Sequence, residues 1–475
     1  YKRWQPYANG GEFRKWYGNN FDVVDWSQEA TELYASKGGL YNKKFVGKSG
    51  ICWNLITSAK NGFRIKESEF HYSSGSPTIF SDQKSSDSMY LGFLNSIVSY
   101  YLLQVINPTI NTTVNSVLCL PFDSGKYEYR ISEIVNDCLD SSKIDWDSFE
   151  ISWNFLENPL LANKHSNKLS ECFKVWEKTT GDRFSLLKKL EEELNSIFIE
   201  IYDLQDELTP EVEDKDVTVR KADVERDVRS FLSYLVGVIF GRYRLDKPGL
   251  AFAGGEFNLD EFGSYKPDKD NIIPITAEHY FEDDIVSKIT ELVAIIYGND
   301  TLNENLQFIA THLGMKESES AEDTIRRYFM KDFYKDHLKI YQKRPIYWQF
   351  SSGKKGAFKG LMYLHRYDKY TLARIRTDYV LKLTTTLNQL IEHAQVIIDG
   401  NVSAKEVARA RKEREAYEAQ LQELREYDLI LKQLADQEID LDLDDGVKVN
   451  YAKFQEIPFK KDNGRSDKMN SFEKI

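Results

Sequence analysis

Two long stretches of helical apolar spacing constrain this chain more than any other feature. From Asp182 to Leu208, the residues Leu186, Leu190, Leu194, Ile197, Ile201 and Leu204 recur every three or four positions. That spacing puts them on one face of an amphipathic helix. The same spacing returns over 376–398 and again from Ser403 to about Leu434. Between the two lies the turn at 399–403, with Asp399-Gly400-Asn401, so short that the second helix must run back antiparallel to the first. Ser403 followed by Glu406 has the spacing of a capping box, marking where the second helix starts. Leu381, Leu387, Leu390 and Ile391 are expected to face Tyr417, Leu421, Leu424 and Leu431 in a helical hairpin that acts as a strut.

The remaining pattern is mixed. Residues 1–83 alternate short apolar runs, such as Ile51-Cys52-Trp53, with Gly, Asn and Ser turns, and are predicted to form strands. Residues 88–106 read as one helix ended by Pro108, and 117–120 as a short strand. Helices are predicted over 128–139, 146–156 and 222–240, with two or three more in 284–335. Residues 245–275, rich in Gly and Pro, show no clear element. The acidic stretch 436–445 and the polar tail after Lys460 read as loop or disorder. The expected fold class is therefore α+β. A mixed sheet-and-helix domain spans 1–125, a helical domain 126–375, and the helical hairpin with a polar tail 376–475. A chain of 475 residues exceeds one ordinary core, in keeping with several domains.

Charge is segregated. The net charge is −12, yet residues 1–66 carry 11 Lys/Arg against 5 Asp/Glu, and residues 335–376 carry 11 against 2. Such a distribution leaves two basic faces on an acidic protein, the footprint of a polyanion ligand. In 339–376 the cations Lys343, Arg344, Lys354, Lys355, Lys359 and Arg366 alternate with aromatics that include Trp348. Cations neutralise phosphates and rings stack on bases, so the interleaving suits nucleic acid. The same pattern also fits a core element whose rings are buried. In 37–66, Lys43, Lys44, Lys48, Lys60 and Arg64 sit among glycines, as mobile groove-reading loops would. Solubilising hairpin turns would look alike. The turn Ser351–Gly356 is expected to lay backbone N–H groups against a phosphate.

Several chemistries find no support. The 4 cysteines and 7 histidines are scattered without metal-ligand spacing, so no metal site is expected, and the thiols read as reduced. No P-loop, dinucleotide fingerprint or nucleophile–base spacing occurs. No apolar run reaches bilayer length, so a membrane is not an expected partner. The chain opens at Tyr1 without Met, in mid-pattern, and is expected to be a piece of a longer cytoplasmic protein.

Specific segments carry a resemblance. Gly10-Gly11-Glu12-Phe13-Arg14-Lys15-Trp16-Tyr17-Gly18-Asn19 with Val23-Val24-Asp25-Trp26 resembles the segment after the catalytic domain in PglX-type adenine-specific methyltransferases of BREX phage-defence systems. Tyr90–Ser96 with Asn107-Pro108-Thr109 is similar to the end of the target-recognition domain in fused restriction–modification enzymes. Gln205–Glu211, Lys343–Trp348, Tyr363–Tyr367 and Asp440–Tyr451 extend the likeness over nearly the whole chain.

The resemblance implies a parent enzyme that methylates the N6 amine of adenine with S-adenosylmethionine. Of this chain it implies DNA target recognition, with double-stranded DNA as partner. That family's Asn-Pro-Pro-Tyr and glycine-rich cofactor loop have no counterpart here, so no catalytic residue is carried over. Neither catalysis nor S-adenosylmethionine binding is expected of this fragment. The alternative reading is a helical interaction platform for other defence-system proteins or a phage protein.

Overall fold

A computed structural model describes residues 3–39, 43–58, 60–81, 87–461 and 463–475, and of Lys43 the backbone alone. The fold is α+β, about 51% helical with small sheets. It divides into two compact units, residues 1–159 with 174–223 and residues 160–173 with 224–475. Among the described residues no single helix is long and apolar enough to cross a membrane.

The first unit opens with β1 (Trp4–Ala8), flanked by antiparallel β2 (Asp22–Asp25), then α1 (Gln28–Ser36). A second small sheet orders β3 (Gly50–Cys52) between β4 (Arg64–Lys66) and β6 (Thr78–Ile79), while β5 (His71–Tyr72) joins β1 in parallel. The helix expected over 88–106 breaks into α2 (Asp87–Leu94) and α3 (Ile97–Ile106), bent by 70°. The bend follows from Ser96, whose side chain accepts the Ser99 N–H and starts a new helix.

Residues 117–120 are not a strand. Thr113 caps the short helix α4 (Val114–Leu118) through the Ser116 N–H, and this local cap starts a helix where the short apolar run suggested a strand. The helix expected over 128–139 extends to Asp147 as α5 (Glu128–Asp147), whereas the one expected over 146–156 is absent, residues 148–156 forming turns and irregular backbone instead. After α6 (Pro159–Ala162), α7 (Leu169–Ile201) begins earlier than predicted. Leu187, Leu194 and Phe198 of α7 pack with Trp53, Phe63, Leu91, Phe93 and Ile134 in one core.

The second unit begins its main run with α8 (Val224–Ile239), as its apolar pattern predicts. It continues through α9 (Ile285–Tyr297), α10 (Leu302–His312), α11 (Ala321–Lys331) and α12 (Phe333–Ile340). The stretch expected to lack structure contributes β7 (Ile273–Ile275), which pairs antiparallel with β9 (Lys359–Tyr363); β9 in turn pairs with β8 (Tyr347–Ser351).

Beyond β9 come α13 (Thr371–Arg374), a π-type turn over Ile375–Val380 and α14 (Leu381–Asp399). The chain reverses at Gly400 into α15 (Ala404–Asp436), and Ser403 with Glu406 forms the predicted capping box. The hairpin is nevertheless no free strut. Leu383, Leu387, Leu424, Tyr427 and Leu431 share a core with Trp348, Phe350 and Phe358 of the β8–β9 hairpin.

The polar tail is ordered as well. After α16 (Gly446–Ala452), β10 (Ile457–Lys460) and β11 (Ser466–Met469) form a hairpin, and Phe459 and Phe472 enter the same core.

Candidate nucleic-acid interface

In the first unit the residues around Gly10–Asn19 build the support for the basic loops. Trp16 adopts a left-handed φ of 70° and is fully buried. Two backbone bonds hold it there, Trp16 N–H to Phe63 O at 2.8 Å and Ile65 N–H to Trp16 O at 2.9 Å. Its indole Nε1 donates to Glu191 Oε1 at 2.7 Å, and Lys15 pairs with the other oxygen of that carboxylate. Arg14 donates to Asp145 Oδ2 at 2.6 Å, and Arg220 binds the same carboxylate. Burial opposes ionisation of Asp145, but Arg220 and Arg14 hold its pKa below the usual carboxylate value. Gly18, at φ 127°, is required because any Cβ there would strike the Arg14 side chain.

On this support the predicted residues separate. Lys44 and Lys48 are exposed, and their ammoniums lie 5.7 and 5.9 Å from the Phe45 ring centroid. Phe45 itself stacks on Phe80 at 4.6 Å. The Lys43 side chain lies outside the described residues. Lys60 pairs with Asp216 at 2.6 Å and lies over Tyr100.

Arg64 is only 2% exposed, so it does not face a groove. Its guanidinium binds Arg14 O at 3.3 Å and Asn54 Oδ1 at 3.1 Å, holding the loop from beneath. Lys66 does a similar job: its ammonium donates to the carbonyls of Lys48, Glu67 and Phe70, and burial pushes its pKa down to about 8. A neighbouring open cleft of about 790 Å³ is lined by Tyr7, Trp26, Tyr34 and Tyr72. Sequence reasoning missed it, because the rings come from separate segments and share no spacing.

In the second unit the β8–β9 hairpin divides the predicted cations into two groups. Lys354 and Lys355 sit exposed on its turn, and neither ammonium meets a carboxylate among the described residues. The turn's amides are not open to a phosphate as the sequence suggested. Lys355 N–H and Ala357 N–H donate to Glu423 at 2.7 and 3.1 Å, and Ser352 Oγ–H adds a third bond at 2.8 Å. A carboxylate of the chain itself thus fills the concavity.

Exposed Lys343 and Arg344 precede β8 at the other end, where Ile346 pairs with Leu364 just before Arg366. Five residues of strand separate the two ends by roughly 15 Å. Arg366 donates to the carbonyls of Phe240, Asp268 and Lys269 and lies 3.7 Å over the Phe257 ring. Burial pushes its pKa down to about 10. It lines an open cleft of about 410 Å³ with Phe257, Lys269, His365 and Arg374.

Two predicted residues turn inward. Lys359 donates to Met330 O at 3.0 Å. Trp348 is fully buried, edge-on to Tyr451 and Phe472 at 5.2 Å each. Its ring is a core ring, and the alternation that suggested a stacking platform is the period of a strand covered on both faces.

S-adenosylmethionine needs a glycine-rich loop leading from a strand into a helix. Every sheet pairing among the described residues is antiparallel except the short β1–β5 pair, and no glycine-rich turn joins a strand to a helix at the clefts described.

No family model matches the chain. It is 41% identical over 469 residues to the adenine-specific methyltransferase PglX of Lacticaseibacillus casei (strain Zhang), covering 96% of this chain and 39% of the relative. It is 34% identical over 487 residues to the adenine-specific methyltransferase BrxX of Escherichia coli O9:H4 (strain HS), covering 96% of this chain and 40% of that protein. Over nearly its whole length the chain is thus homologous to the PglX and BrxX adenine-specific methyltransferases of BREX systems, of which it spans about two fifths.

Proposed function

We propose that this chain is the DNA-recognition and DNA-binding part of an S-adenosylmethionine-dependent, adenine-N6-specific DNA methyltransferase in phage defence, and that it lacks the methyl-transfer site. The observation that carries the reading is the homology, which runs along 96% of the chain to two proteins named as adenine-specific methyltransferases. The exposed cations support it. Lys354 with Lys355, and Lys343, Arg344 and Lys269 near Arg366, form two basic ends roughly 15 Å apart, comparable with the ~12 Å width of the major groove. Lys44 and Lys48 supply a further basic edge on the first unit, beside the Phe45 ring, an aromatic of the kind on which unpaired bases stack.

Duplex binding measured by fluorescence anisotropy across a salt series tests this reading. A steep log–log salt dependence is expected, with the slope set by about 0.9 per phosphate contacted. Affinity that ignores salt, or no binding, would overturn it. A second reading rests on one observation. At the hairpin turn Val396 and Val402 are 70% and 44% exposed, as apolar anchors of a protein partner would be. Binding to other defence-system proteins that Val396→Ser abolishes, with DNA affinity unchanged, would support this role for the hairpin tip.

A further inference from the structure

The loop that enters β7 and the turn that precedes α9 bring three carboxylates together. Oxygens of Asp268, Asp270 and Asp283 all lie within 4.8 Å of one another. Ligands at 2.3–2.6 Å around one Ca²⁺ span that distance. Part of each acid is already oriented by the fold. Asp268 Oδ1 accepts the N–H groups of Asp270 and Ile272, and Asp270 Oδ1 also accepts the latter at 3.0 Å. The Tyr379 hydroxyl lies 2.9 Å from Asp270 Oδ2 and 2.6 Å from Asp283 Oδ2. It has one proton to give, and the Ile272 carbonyl at 3.1 Å competes for it with the two carboxylates.

A second observation points to something between these groups. Tyr265 lines the same open cavity of about 610 Å³ and is 8% exposed. Its hydroxyl is buried and has no hydrogen-bond partner among the described residues. Buried hydroxyls of this kind are rarely left without one. Lys266, Lys269 and Lys288 line the cavity too, but Lys288 is 3.6 Å from Glu291 and Lys266 donates to Leu259 O.

We propose that Asp268, Asp270 and Asp283 bind one divalent cation of the hard, oxygen-seeking class of Ca²⁺ or Mg²⁺, with Tyr265 accepting a hydrogen bond from a water on that ion. All-oxygen donor sets select such cations over softer metals. Arg366 binds the carbonyls of Asp268 and Lys269, so the ion would brace the loop that presents Lys269.

Calorimetric titration of the chelator-treated chain with CaCl₂ and with MgCl₂, without DNA, tests this independently of the nucleic-acid reading. One site with a dissociation constant on the order of 10⁻⁴–10⁻³ M is expected, given only three protein carboxylates. Asp270→Asn and Asp283→Asn should each weaken it at least about tenfold, and Tyr265→Phe less. Should the asparagine variants fail to fold, terbium luminescence of the unaltered chain decides. Sensitised emission displaced by Ca²⁺ and diminished by Tyr265→Phe supports the site. No saturable binding of either ion, binding unchanged in both asparagine variants, or terbium emission indifferent to Ca²⁺ overturns it.

Discussion

The carboxylate of Glu423, on α15, accepts the backbone N–H of Lys355 at 2.7 Å. It thereby occupies the concavity of a glycine turn that would otherwise suit an external anion, and ties the tip of the β8–β9 hairpin to the helical hairpin. Gly353, at φ 134°, makes this possible, because a Cβ there would lie 2.6 Å from Glu423 Oε2. Glu423→Ala should remove three bonds and one negative charge. A loss of about 1–3 kcal/mol in urea unfolding is expected, together with tighter DNA binding, since the turn that carries Lys354 and Lys355 loses a negative charge. Unchanged stability with unchanged DNA affinity would show that the carboxylate neither orders the turn nor screens it.

The lysines on that turn should act as phosphate contacts. Replacing both Lys354 and Lys355 by Ala should weaken binding to every duplex alike. It should also lower the salt slope by up to about 1.8, at 0.9 per contact. Changes at Lys44 and Lys48 should alter which sequence is preferred. Anisotropy titrations on two unrelated duplexes separate the outcomes, and a sequence-dependent loss from the turn variant would reverse the assignment.

Asp145 should matter for stability far more than any surface pair. Its side chain is 2% exposed and binds Arg14 and Arg220 together. Asp145→Ala leaves the buried Arg14 guanidinium, beside the partly exposed one of Arg220, without its counter-charge, a change that typically costs about 3–5 kcal/mol. Lys178, paired with Asp182 on an exposed helix face, offers the contrast. Lys178→Ala should shift stability by less than about 1 kcal/mol. Chemical denaturation of both variants, compared at equal slope, checks the ranking.

What could be read from the sequence, and what could not, follows from how far each signal reaches along the chain. Apolar periodicity predicted α8 and the α14–α15 hairpin, and Ser403 with Glu406 marked the start of α15, because these signals lie within a few turns of one helix. The basic-aromatic segment was legible as a segment but not as a site. Trp348 and Lys354 carry the same signal in one dimension, yet β8 is buried on both faces and the turn beyond it is not. The face of β8 that carries Trp348 and Phe350 is covered by Phe472, whose polar surroundings read as a loose tail. The three aspartates at 268, 270 and 283 were passed over because sequence reasoning sought His and Cys spacing, whereas their proximity depends on how the 264–272 loop meets the turn before α9.

The hairpin's two ends should respond differently to substitution. Leu431 is fully buried in the core shared with Trp348 and Phe358. Leu431→Ala should cost about 2–5 kcal/mol through lost transfer energy and the cavity left behind. Val402→Ser, at the exposed turn, should stay within about 0.5 kcal/mol. Deleting 376–440 should unfold the second unit as well as removing an arm. A deletion product that melts cooperatively with native helical content would refute that integration.

His337 makes stability depend on pH in a defined direction. Its ring is 2% exposed, and Nε2 accepts the N–H groups of Ile346 and Tyr347 at 3.1 Å each, fixing the chain as it enters β8. An imidazole accepting at Nε2 must be neutral, with its proton on Nδ1. Burial, aided by the charge of Arg242, pushes its pKa down to about 3. The folded value lies below the unfolded one, so between the two the unfolded chain takes up a proton that the folded chain refuses. The stability this group contributes is complete above about pH 6.5 and is lost as pH falls from there toward 3. One proton corresponds to a slope of about 1.36 kcal/mol per pH unit within that window. His337→Gln keeps an acceptor for the two amides but cannot titrate. Its unfolding free energy, followed from pH 7 to 5, should fall less steeply than that of the unaltered chain by about this amount. Parallel pH profiles for the two proteins would mean that His337 is charged in the folded state and that its bonds to Ile346 and Tyr347 are not as described.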